Sequence, residues 1–460
     1  MDSKMEQKWN QGLLQFIQDS PSMFHVIENM KKRLEEAGFV ERREQDCWDL
    51  KPGGAYYVTR NDSSLIAFRL PEACDLGGGR PFKGYHIVAA HSDSPTFKVK
   101  TLPETVAEKQ YVRLNVEKYG GMILSTWLDR PLSVAGRVAV READGSVGMR
   151  LVNLDRDLLV IPNLAVHMNR DINQGYAYNP QVDMLPLMAL WEEKRENSNS
   201  QSDQGGDGAQ GEASSKSPQG MLLEEIAQTL RIQPEDILDG DLYLYVREKG
   251  RMLGRDGEMI LSPKLDDLQC VYAGLEGFIS GLPDQYANVL AVFDNEEVGS
   301  GTRQGADSSF LEDVLLRVQD SLGYGPSVYR RLVAESFLIS ADNAHAVHPA
   351  HPEKADITNR PMLGGGIVIK YHGGQKYTSD AMSAARMKLW CEQAGVPYQT
   401  FANRSDMTGG STLGNISTSH VSLASVDIGL PQLAMHSAVE TGSSRATAYA
   451  VAAFEQFWKE

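Results

Sequence analysis

Residues 84–95 read GYHIVAAHSDSP, and the fold turns on how this stretch is taken. An apolar run reaches Ala90 and gives way at once to His91, Ser92, Asp93 and Ser94. A strand with one wet face would alternate apolar and polar residues. An unbroken run instead fits a central strand of an α/β sheet, covered by helices on both faces. In such sheets ligands bind beyond the carboxyl ends of the strands, which is where the polar tail falls.

A second stretch of the same kind follows. VLAVFDNEEVGSG, residues 289–301, is a strand-forming run ending on Glu296 and Glu297, with no Lys or Arg beside them. Neighbouring carboxylates repel, and burying them without a partner is costly. A cation held there by residues from elsewhere resolves the conflict, and a metal ion is the obvious one. Further strand candidates are DLYLYV (241–246), SFLISAD (336–342), GIVIKY (366–371), YQTFAN (398–403), VSLASVDIG (421–429) and PQLAMHS (431–437). Helical stretches lie between several of them: 266–279, 309–322 and 380–395, with a last helix over 442–460. Near the start, PSMFHVIENMKKRLEEAGF (21–39) carries apolar residues at helical spacing and stops on Gly38.

Between these α/β parts the texture changes. KVKTL, YVRLNVEKY, RVAVREADGSVGMRLVNL and DLLVIPNL are short alternating segments parted by Gly and Asp turns. The expected architecture is an α/β catalytic domain with a mixed sheet, residues 1–97 and 250–460, interrupted by a β-rich insert over 98–249. Inside the insert a Gly-, Ser- and Gln-rich segment at about 197–220 reads as a flexible surface loop.

Composition narrows the function. The chain of 460 residues carries a formal net charge of -16, which disfavours nucleic acid or an anionic membrane as partner. No apolar run approaches membrane-spanning length, and the first twenty residues read as an amphipathic helix rather than a signal peptide. The four cysteines lie far apart without a Cys-x-x-Cys pair, against a thiolate zinc site and in keeping with a reducing cytoplasm.

The chemistry collects at strand ends. There the sequence delivers His91 and Asp93, Glu296 and Glu297, Asp342 and His436, while SPKLDDL adds Asp266 just before a helix. A single His or Asp at such a place is usually a cap or a solvated residue. The recurrence of nitrogen and oxygen ligand types at one edge is the signal. If His91, Asp266, Glu297, Asp342 and His436 are ligands, three carboxylates and one hydroxide balance two divalent ions. With Asp266 bridging, each ion takes one His and one further carboxylate, a layout for metal-assisted hydrolysis. Glu296 is then free as general base, and Asp93 can orient the His91 imidazole.

Taken together, AAHSDSP, LDRPLSVAGR, SPKLDDL, FDNEEVGSGTRQGA, SADNAHAVHP, NRSDMTGGSTLG and PQLAMHS closely resemble the aspartyl aminopeptidase and vacuolar aminopeptidase I family. The resemblance spans nearly the whole chain except the segment near 197–220. It implies dinuclear zinc exopeptidase chemistry, with metals on His91, Asp266, Glu297, Asp342 and His436, Asp266 as bridge and Glu296 as base. It likens His348 to a histidine near the reacting carbonyl, and His167, in the insert, to one that reaches a neighbouring subunit's site. It also implies dimerisation through the insert and a closed homo-oligomer, a dodecamer built from dimers. Lys370, a cation on an apolar strand, is a candidate for the substrate's first side chain or a carbonyl, or else an edge-strand lysine facing solvent. Gly409 and Gly410 would let backbone approach a substrate closely.

The expected activity is removal of an N-terminal residue, acidic or neutral, from peptides with a free N-terminus. The competing expectations are a two-metal carboxypeptidase or amide deacylase, and a non-catalytic shell. Imidazole and carboxylate ligands suit zinc, manganese or cobalt, and the resemblance favours zinc.

Overall fold

A computed structural model describes residues 3–73, 79–191, 218–410 and 412–460. The backbone divides into two compact units. The first comprises 1–95, 119–123 and 248–460, the second 96–118 and 124–247. The segment expected as a flexible loop lies outside the described residues except for 218–220.

A nine-stranded mixed sheet forms the first unit. Its four inner strands, Ala287–Phe293, Tyr85–His91, Phe337–Ala341 and Ala424–Gly429, run parallel side by side. Ser64–Arg69 and Ile367–Tyr371 flank them antiparallel, and Tyr398–Ala402 closes one edge. Successive side chains of a strand point to opposite faces. Val88 and Ala90 accordingly join one buried cluster and Ile87 and Ala89 the other. Leu290 and Val292 split from Val289 and Ala291 in the same way.

On one face pack the helices Ser3–Asp19, Met23–Glu36, Leu265–Ser280, Ala381–Gln393 and Ala446–Trp458; on the other pack Phe310–Ser321 and Pro326–Glu335. Covered twice, the inner strands can be apolar throughout, as 85–90 suggested. Met23–Glu36 ends where Gly38 takes φ 86, a left-handed conformation that costs glycine little.

The second unit is built on a six-stranded sheet in the order 147–153, 132–141, 237–246, 96–107, 111–119, 187–190. DLYLYV therefore belongs to this sheet, through Ile237–Val246, and the α/β texture resumes only after it. One other expectation needs correction: only Pro431–Gln432 of PQLAMHS is strand. His436 sits on a turn with φ 65, because the chain must bend back to pair Thr441 with Leu433. Among the described residues no helix is long and apolar enough to cross a membrane.

Candidate metal centre

The parallel register sets the site. Phe293 lies opposite His91, and Ala341 opposite Ile428, so these strands end nearly level. His91 is the last residue of its strand, Asp342 follows Ala341 directly, and Glu296 and Glu297 lie three and four residues past Phe293. Asp266 stands in the first turn of Leu265–Ser280, with non-helical φ -84 and ψ 108.

Two groups of side chains converge there. Ligand atoms of His91, Asp266, Asp267 and Asp342 all lie within 4.8 Å of one another, and so do those of Asp266, Glu297 and His436. Asp266 is common to both: its Oδ1 is 3.5 Å from His91 Nε2, and its Oδ2 is 3.4 Å from His436 Nε2. His436 Nε2 is also 3.4 Å from Glu297 Oε2. A third group joins His91 to Glu296 and Glu297.

The electrostatics are those of crowded carboxylates. Burial first, then repulsion from Asp266 among others, holds Glu297 well above the carboxylate range. Burial pushes Glu296 up to about 8 and Asp342 up to about 6. Asp266 goes the other way: its contacts with His436 and His91 outweigh its burial. His436 is driven up to about 9, the pull of Asp266 exceeding the opposing effect of burial. Asp266 Oδ1, Asp267 Oδ1 and Glu297 Oε1 are buried without a hydrogen-bond partner among the described residues. Buried polar atoms are rarely left so. Orphaned carboxylate oxygens beside two imidazoles are the donor set a divalent cation of intermediate softness takes, so the residues fit a metal centre.

Asp93 is a hub. Its carboxylate accepts from the main-chain amides of Glu296 and Glu297 at 3.1 and 3.2 Å, and from Tyr119 Oη at 2.8 Å. His91 Nδ1 lies 3.0 Å from the Asp93 carbonyl oxygen and 3.4 Å from its carboxylate. The orienting contact is thus chiefly with the Asp93 main chain, while its side chain fixes the glutamate turn.

A cavity of about 310 Å³ opens on the cluster, lined by Asp266, Glu296, Asp342, His345, Lys370, Phe401, Gly410, Met435 and His436 among others. Lys370 is no solvent-facing edge lysine: its strand lies between two others and it is 3% exposed. Its Nζ donates to the Asn343 carbonyl at 2.8 Å and is 3.6 Å from Asp342. Asp342 and its neighbours outweigh burial and keep the ammonium charged. Gly410 lines the cavity, and Gly409 accepts from Lys376 Nζ through its carbonyl. His348 sits on an exposed turn, its Nδ1 accepting from Ala350 N; His345 faces the cavity instead. His167 is exposed on a turn of the second unit.

Sequence reasoning missed Tyr119, Asn295 and Glu440. Glu440 is fully buried and accepts from the amides of Asp266 and His436 at 3.0 and 2.7 Å. A lone acidic residue four places after His436, in an otherwise uncharged stretch, was the available hint.

Comparison with known proteins adds an independent finding. Residues 16–458 match the family described as aminopeptidase I zinc metalloprotease (M18). The chain is similar to a Clostridium acetobutylicum protein named "Probable M18 family aminopeptidase 2", 46% identical over 456 residues, 99% of each chain. Among solved structures it superposes on one from a complex of Ape4 with Nbr1 (TM-score 0.89, 35% identity, 99% of this chain and 86% of that). It also matches the S. cerevisiae mApe1 dodecamer (TM-score 0.82, 24% identity, 99% and 97% covered), a likeness of fold.

Proposed function

The chain belongs to the M18 family of zinc aminopeptidases, and on that premise we propose that it hydrolyses the N-terminal residue of peptides at a two-metal site with Glu296 as general base. One observation carries the reading: two ligand groups share Asp266, one adding His91, Asp342 and Asp267, the other His436 and Glu297. His91, Asp266 and Asp342 would hold one ion; Asp266, Glu297 and His436 the other. Two divalent ions there would supply Lewis-acid activation of a water and of the scissile carbonyl.

The chain's own groups do the rest. Glu296 lines the cavity and groups with His91 and Glu297 but with neither Asp266 nor His436, and proton transfer is the role assigned to it here. It takes a proton from the attacking water as the water oxygen bonds the carbonyl carbon. When the C–N bond breaks, Glu296 returns that proton to the leaving amine. Asp93 holds Glu296 and Glu297 in register through their amides, so that one glutamate binds and its neighbour transfers protons.

Lys370 supports a preference for acidic first residues. It is a buried cation at the cavity wall, and its partner Asp342 would spend its charge on an ion. Phe401 and Met435 beside it favour the apolar part of any side chain. His348, His167 and Gly409 are carried as substrate-side groups by the resemblance alone. A homo-oligomer, a dodecamer built from dimers through the insert, is the assembly proposed, by likeness to the mApe1 dodecamer. The proposed location is the cytoplasm.

The test is release of Asp, Glu, Leu, Lys and Ala from the N-terminus of matched peptides by metal-loaded enzyme. Preference for Asp and Glu, lost on chelation, is the expected result. Preference for Leu or Lys would remove Lys370 from substrate recognition. No release from any peptide by a protein holding two ions would overturn the reading and favour a deacylase.

A further inference from the structure

At the end of the strand Tyr111–Tyr119 the chain runs past the metal cluster, and Tyr119, Gly120, Gly121 and Ile123 meet residues that the site is built on. We infer that the strap Tyr119–Ile123, YGGMI, is a positioning device for the His436 and Glu297 side of the centre; this rests on the two-ion reading above.

Four hydrogen bonds and one close approach carry the inference. Tyr119 Oη donates to Asp93 Oδ2 at 2.8 Å and accepts from Asn295 Nδ2 at 2.7 Å, tying together the two loops that deliver His91 and the glutamates. His436 Nδ1 lies 2.6 Å from the Gly121 carbonyl oxygen. A carbonyl only accepts, so Nδ1 carries a proton, and Nε2, which faces Asp266 and Glu297, is the ring nitrogen left to ligate an ion held between them. Ile123 N donates to the His436 carbonyl at 3.0 Å, so both the ring and the main chain of the histidine are held. Gly120 takes φ +79, and a Cβ there would stand 3.1 Å from Glu297 Cβ and 3.5 Å from its Oε2.

Each contact has a reason for its residue type. His436 stands at φ 65 on a turn, where its own backbone gives little hold on the ring. The strap supplies the missing constraint from the other side. Only glycine at 120 lets main chain lie against Glu297 while its neighbour's carbonyl reaches the imidazole. The strap belongs to the first unit although the residues before and after it belong to the second.

The experiment titrates metal-free protein with Co²⁺, following visible absorption and stoichiometry. Gly120→Ala and Tyr119→Phe are compared with wild type and with His436→Ala. Gly145→Ala is the strain control: that glycine also has positive φ, with nothing within 4 Å of its Cβ position. Wild type should take two ions. Gly120→Ala and Tyr119→Phe should bind one of them about 10- to 100-fold more weakly, the range that loss of an orienting partner gives. Gly145→Ala should titrate like wild type. Thermal melting of the metal-free forms separates misfolding from weakened binding. Two ions held at wild-type affinity in both strap variants would overturn the inference and leave the two-ion reading standing. A wild type that takes fewer than two ions would overturn the two-ion reading itself, and a His436→Ala form that still takes two tightly would remove His436 from the ligands and overturn the inference with it.

Discussion

Glu296 and Glu297 are adjacent and chemically identical, and what separates their roles is where the turn points them. Glu297 Oε2 is 3.4 Å from His436, while Glu296 lines the cavity. Glu296→Gln should therefore keep the metal content and lower kcat by roughly 10²- to 10⁴-fold, the usual worth of a general base. Metal analysis beside single-turnover kinetics checks both halves, and loss of metal would show that Glu296 is a ligand. Glu440 acts differently, through main chain. It caps the amides of Asp266 and His436, and burial raises it to about 8. Glu440→Leu orphans two amides and should cost about 1–3 kcal/mol for each, measured by urea unfolding of metal-free protein. Glu440→Gln keeps one acceptor and should fall between Leu and wild type; a Leu variant as stable as wild type would contradict the role.

At the scale of elements, the strand Tyr85–His91 works at both ends. Its carboxyl end delivers His91; near its amino end His86 helps fasten the last helix. His86 is fully buried between the rings of Tyr286 and Phe457, and its Nδ1–H donates to the Phe457 carbonyl at 3.0 Å. Its Nε2 has no hydrogen-bond partner among the described residues, so there is nowhere to place a second proton. Burial, with Arg386 nearby, depresses it from 6.5 to about 3. A base with a lowered folded pKa contributes stability above its unfolded pKa and loses it on acidification. Between pH 6.5 and 3, stability should fall with a slope from this group of up to about 1.4 kcal/mol per pH unit. His86→Gln should be less stable at pH 7 yet lose less on acidification. Parallel pH profiles for the two proteins would refute this.

For the whole molecule, the cluster of five buried or half-buried carboxylates around His91 and His436 makes the metal-free protein a repelling one. Chelation should lower the melting temperature and restoration of zinc should raise it. With free ion at a thousand times Kd the gain is about 4 kcal/mol. An unchanged melt would mean the ions bind folded and unfolded chain alike. The proposed dodecamer is checked by light scattering, where a mass near twelve times 50.7 kDa is expected. A monomer would leave the exposed His167 without a neighbouring site to serve.

The sequence by itself determined the covered parallel strands, the texture of the insert and the residue types meeting at one sheet edge. Those are local matters: an apolar run of period one, a β-rich stretch parted by turns, and a carboxylate pair without a cation each leave a mark on neighbouring positions. It did not reveal that His436 sits on a turn, that Lys370 is buried, or that His345 rather than His348 faces the cavity. Nor did it reveal Glu440 and Tyr119, whose effects pass through contacts to residues 174 and 26 positions away. Only the tertiary structure decides such contacts. A buried carboxylate or phenol finds its partner wherever the packed chain brings one, and sequence spacing carries no record of that distance.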